Sequence, residues 1–167
     1  LIREGDGILA SEEGRRHEET YPWLHFLQNK GRVYTQQGRL EEAEALFHAF
    51  LNSRILRRRT RMISRTQCFL AEVLRRKGRK GEALYLTEKA YRVQVRERLL
   101  ADKADYSLPL MVKLTDDDRE ARSTIEKAEE IQRRLRNNYG LARVLCTKAR
   151  RFHTEENHDE IMRLFDE

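Results

Sequence analysis

Cys68, Cys146 and the histidines His17, His25, His48, His153 and His158 are the side chains with which this chain could attack, shuttle a proton or hold a metal. A thiol nucleophile needs an imidazole within hydrogen-bond reach. His153 follows Cys146 by seven residues, two turns along one helix and about 10 Å away, which excludes that pair. Spacing does not decide on Cys68 with His25; a small half-buried thiol is the commoner use of cysteine. No two histidines have metal-ligand spacing on one helix face. Asp116, Asp117, Asp118 and Glu120 follow Thr115 and offer carboxylates for a metal or for general acid–base work. They are also what a helix start collects, a Thr cap and negative charge at the positive end of the dipole. Gly78-Arg79-Lys80-Gly81 lacks the spacing of a phosphate-cradling loop and the Ser or Thr that should follow its Lys. The expectation is a segment with no catalysis, no metal and no cofactor.

The elements that would position these residues are amphipathic helices. The 167 residues are 37% charged, mean hydropathy is -0.83, and only 2 Pro and 8 Gly interrupt the pattern. Leu40, Ala43, Leu46, Phe47, Phe50 and Leu51 mark one buried stripe, Ala83, Leu86, Ala90 and Val93 a second, and Ala121, Ile125, Ala128, Ile131 and Leu135 a third. A further helix precedes each of the first two, roughly Pro22 to Gln37 and Ile63 to Lys77, and another runs from Leu141 to His153. Gly38 and Gly78 are expected as their C-terminal stops. Gln36-Gln37-Gly38-Arg39-Leu40-Glu41-Glu42-Ala43 returns 40 positions on as Arg76-Lys77-Gly78-Arg79-Lys80-Gly81-Glu82-Ala83. An internal period of that size marks a stacked helical array. The chain opens at Leu1 without Met, as a piece of a longer protein would. It has no apolar run long enough to span a membrane and no signal-peptide pattern. Cys68 and Cys146, two repeats apart, are expected beyond disulfide reach, reduced, in a cytoplasmic protein.

These residues resemble the tetratricopeptide repeat in its longer form. Gly31, Tyr34, Gly38, Ala43 and Phe47 match its signature in a first repeat, with Phe50 where a small residue belongs. Leu70, Ala71, Gly78, Ala83 and Ala90 match in a second, with Leu74 and Thr87 departing. A degenerate third keeps Ala121, Ile125 and Ala128 but carries Pro109, which should shorten or kink its first helix, or delay its start to near Ser107. A partial fourth has Ala149, Phe152, Ile161 and Phe165. The resemblance implies an all-α superhelical solenoid of three to four helix-turn-helix repeats, in segments 1–20 (preceding helix or cap), 21–60, 61–100, 101–138 and 139–167.

The family's groove positions, carried over, fall on His25, Gln28, Arg32, Thr35 and Gln36; Arg65, Cys68, Glu72, Arg75 and Arg76; Lys103, Tyr106, Leu110 and Lys113; and Arg143, Cys146, Arg150 and His153. Basic residues dominate this set, with Glu72 as its one acid, whereas the whole chain carries 34 Lys and Arg against 28 Asp and Glu. Arginine's planar fork suits carboxylates, so the implied role is a protein-interaction scaffold or sensor that holds an acidic peptide or protein segment in a basic concave groove. Gln28 and Cys68 stand where the family's chaperone-tail clamp wants other residues. Arg54, Arg57, Arg58, Arg59 and Arg61, with Arg133, Arg134 and Arg136, form clusters at helix ends that complement the dipole and could also grip nucleic-acid phosphates. A nucleic-acid adaptor and a module that self-assembles through its repeat ends are therefore the alternatives.

Overall fold

The computed structural model describes residues 21–53, 59–152 and 162. The preceding helix expected over 1–20, the arginines Arg54, Arg57 and Arg58, and His153, Ile161 and Phe165 lie outside the described residues. Among those described there is no strand. Helices α1 (Tyr21–Gln36), α2 (Leu40–Leu51), α3 (Thr60–Arg76) and α4 (Lys80–Arg96) are followed by α5, then by α6 (Asp118–Arg134) and α7 (Asn138–Phe152). Helix α5 runs as Leu100–Asp102, a π segment Lys103–Ser107, and Leu108–Leu114.

Four helix ends use one turn. Gly38 N–H donates to Thr35 O and Arg39 N–H to Tyr34 O, and Gly78 and Arg79 repeat this at the end of α3. This Schellman arrangement needs a left-handed residue at its centre, and Gly38 and Gly78 have φ of 77° and 79°. The same pair of bonds closes α4 around Arg98 and α6 around Arg136, two arginines held at φ 55° and 51°. At the start of α6 the cap is Asp117, which accepts from the backbone N–H of Arg119 at 2.8 Å and Glu120 at 3.2 Å. The expected capping residue, Thr115, instead accepts the Asp117 N–H and donates to Glu120.

Pro109 does not delay the third first-helix to Ser107. It lies in the first turn after the π segment, which absorbs one extra residue just before it. The carbonyl of Asp105, which Pro109 has no N–H to serve, accepts from Arg143 Nη2 at 3.4 Å.

Each helix packs on its successor, and α1, α3, α5 and α7 also touch in series, a packing consistent with a helical repeat. Buried Tyr34, Ala43, Phe47, Leu70, Ala71, Ala83 and Ala90 fill the space between the first two pairs and α5. Leu24, Phe50 and Met62 extend this core at one end, and Ala104, Val112, Ala121, Ile125, Ala128 and Val144 at the other. Asp102, 1% exposed, receives both Arg61 and Arg65 across 37 residues of sequence or more.

Candidate functional site

Helices α1, α3, α5 and α7 wall one cavity of about 440 Å³. Because these helices run side by side, residues three and four apart on each present a row of side chains to the same space. Arg32 and Gln36 come from α1, Cys68, Glu72 and Arg76 from α3, Tyr106 and Lys113 from α5, and Arg143 and Arg150 from α7. Thr35, Leu110 and Cys146 join them, together with Pro109.

Several residues expected here lie elsewhere or are engaged by the protein itself. Gln28 is buried, 6% exposed, and donates from Nε2 to Thr66 Oγ1 at 2.8 Å, a bond between α1 and α3 rather than a groove contact. His25 is half-buried near the start of α1 and is not part of the cavity wall. Arg65 is taken up by Asp102 and by the Tyr106 ring, 5.5 Å away. Arg75 turns to Glu72, with two bonds of 2.9 and 3.0 Å. Lys103 faces a separate depression beside Tyr91 and Ile131, because on the wider π segment a step of three residues falls well short of a full turn and takes it off the face of Tyr106. Cys68 reaches the cavity floor but is only 3% exposed, not half-buried; it pairs with Ser107 Oγ at 3.6 Å and accepts from Gln94 Nε2 at 3.9 Å. Burial pushes its thiol up to about 12, partly offset by these two bonds, which leaves it a poor nucleophile.

Two features of the wall escape a reading of groove positions. Phe69 and Tyr106 meet edge to face at a centroid distance of 5.3 Å, and guanidiniums lie over both: Arg32 at 5.2 Å from Phe69 and Arg143 at 5.7 Å from Tyr106. Asp105 places a second carboxylate in the cavity. Burial raises its pKa against the pull of Arg143 and the Gln132 Nε2 donor at 2.7 Å.

The charge balance of the wall is uneven. Glu72 sits among Arg75, Arg76 and Lys113, the last at 3.8 Å; burial raises its pKa, but these partners outweigh that and hold it below the usual value. Arg32, Arg143 and Arg150 have no carboxylate oxygen within 4.0 Å among the described residues. Enclosure by the walls lowers the Lys113 pKa although 42% of its side chain meets solvent, and Arg75, Arg76 and Arg150 push the same way against Glu72. Among the described residues no three His, Cys, Asp or Glu side chains converge as metal ligands, and no helix is long and apolar enough to cross a membrane. No family model, curated protein or solved structure matches this chain.

Proposed function

We propose that the chain is a tetratricopeptide-like scaffold whose helix pairs wind into a superhelix and whose cavity binds an acidic segment of a partner protein. The observation that carries this is the set of three guanidiniums, Arg32, Arg143 and Arg150, sharing one cavity with no carboxylate oxygen within 4.0 Å of any of them among the described residues. An Arg fork held over an aromatic face is oriented before it binds, so less entropy is lost when a carboxylate arrives. The role fits a cytoplasmic regulatory or signalling protein of which this is the docking arm.

Arg32 and Arg150 are both exposed, so reversing them should leave the core intact. The double variant Arg32→Glu/Arg150→Glu is expected to lose binding to a degenerate acidic peptide pool by at least tenfold while keeping its helical circular dichroism and melting midpoint. Undiminished binding would remove the cavity from the reading. The nucleic-acid alternative draws less support, since Arg61 is engaged by Asp102 and Arg133 by Glu129. Capture of single-stranded oligonucleotide with a steep salt slope, unaffected by the double reversal, would restore it. Stacking of chain ends on further copies would show as a mass that rises with concentration.

A further inference from the structure

We propose that the Arg76, Lys113 and Arg150 end of the cavity receives a phosphoryl dianion, carried as phosphoserine or phosphothreonine on the bound segment. This rests on the peptide-binding reading above and specifies the chemistry of its anchor. At this end a single carboxylate serves too many cations. Glu72 accepts from Arg75 Nε and Nη2 and from Arg76 Nε, all within 3.0 Å, and lies 3.8 Å from Lys113 Nζ. Arg150, on the facing helix, has no ion pair among the described residues and adds a further positive charge to the same space.

The helices themselves return some of the balance. Arg76 and Lys113 stand in the last turn of α3 and α5, and each of these helix ends contributes about half a negative charge. Four cations, Arg75, Arg76, Lys113 and Arg150, set against Glu72 and these two helix ends leave an excess of about two charges. A phosphoserine carries about -1.5 to -2 at neutral pH and three strong acceptor oxygens; a carboxylate or a nucleic-acid phosphodiester carries one charge. The donors suit three oxygens: the whole fork of Arg150, the ammonium of Lys113, and the Arg76 Nη2 left after Nη1 donates to Thr35 O at 2.9 Å. Burial is the main cause that lowers the pKa of Lys113, and Arg75, Arg76 and Arg150 add to it against the opposing pull of Glu72. At the other end, Arg32 and Arg143 lie over Phe69 and Tyr106 and are placed to meet ordinary acidic side chains of the same segment.

The test uses three labelled degenerate peptide pools of acidic flank composition, with phosphoserine, glutamate or serine fixed at the centre, titrated with the whole chain and read by anisotropy. The phosphoserine pool is expected to bind at least tenfold more tightly than the glutamate pool. In Lys113→Gln/Arg150→Gln that advantage should shrink below threefold, with melting unchanged. Equal binding of phosphoserine and glutamate pools overturns the phosphate assignment and leaves the acidic-peptide reading standing; no binding of either overturns both. Displacement of the phosphoserine pool by single-stranded oligonucleotide at equal phosphate concentration overturns the assignment to a peptide.

Discussion

At Gly31 an added Cβ would lie 2.5 Å from Cε1 and 2.7 Å from Cζ of the Phe47 ring. Phe47 is fully buried and its ring lies 6.0 Å from that of Phe69, so it has little room to move. Gly31→Ala is expected to cost about 1–3 kcal/mol, seen as a lower denaturant midpoint with helical signal retained below it. This contact was readable from sequence because small and large residues alternate at fixed spacing: Gly31, Tyr34, Ala43 and Phe47 mark it out. The buried polar contacts were not readable. Gln28 finds Thr66, Ser107 donates to Gln94, and Asp102 finds Arg61 and Arg65, each across a gap of sequence that no local period spans. A groove position assigned by family register therefore misplaced Gln28 and Arg65, whose partners decide where they point.

Turn chemistry sets the path of the chain between helices. Gly38 and Gly78 adopt left-handed φ without a Cβ penalty, whereas Arg98 and Arg136 hold the same conformation against it. Arg98→Gly and Arg136→Gly are each expected to stabilise the fold by about 0.5–1 kcal/mol. Urea unfolding of the single and double variants measures this, and additivity is expected because the two turns are far apart in the series. The glycine turns announced themselves in the sequence and fixed the ends of α1 and α3. The arginine turns did not, since nothing in an Arg-rich chain marks one arginine as left-handed, and the end of α4 went unseen with them. Helix α5 was misjudged for a related reason. Proline at 109 reads as a shortened, kinked or late-starting helix, but the helical run continues from Leu100 to Leu114 through the π segment before it, and Arg143 reaches over to the freed Asp105 carbonyl.

Across the molecule, carboxylates tie each helix pair to the next. Glu44 of α2 accepts from Lys77 and Arg79 at 2.7 and 2.6 Å, and Glu129 of α6 from Lys148 of α7 at 3.0 Å. The bond from Lys77 lowers the pKa of Glu44; burial raises those of Glu72 and Glu129, but their Arg and Lys partners bring both below 4.5. Depressed carboxylate values mean that the folded state binds fewer protons than the unfolded chain, so this stability is complete above about pH 4.5 and lost as pH falls through the depressed values. Asp105, with a raised pKa, works in the opposite direction, against these three and against Glu42, Glu82 and Asp116, whose ion pairs also lower them. Thermal scans are expected to give a level midpoint from pH 7 to about 5 and a steep fall below about 4.5; a midpoint that rises on acidification would show Asp105 to dominate instead. The linkers Arg61–Asp102 and Lys148–Glu129 join residues that a repeat pattern places but cannot pair, which is why the order of helices was legible and their fastening was not.

The two cysteines of the cavity wall differ in a way that gives the molecule a built-in reporter. Cys68 is sealed, with its thiol held to about 12, while Cys146 stands half-open on α7 between Arg143 and Arg150. Towards an alkylating reagent the folded chain behaves as a protein with one thiol, and that thiol stands where an occupant would shade it, so the rate of its labelling becomes a clock for how often the cavity is empty.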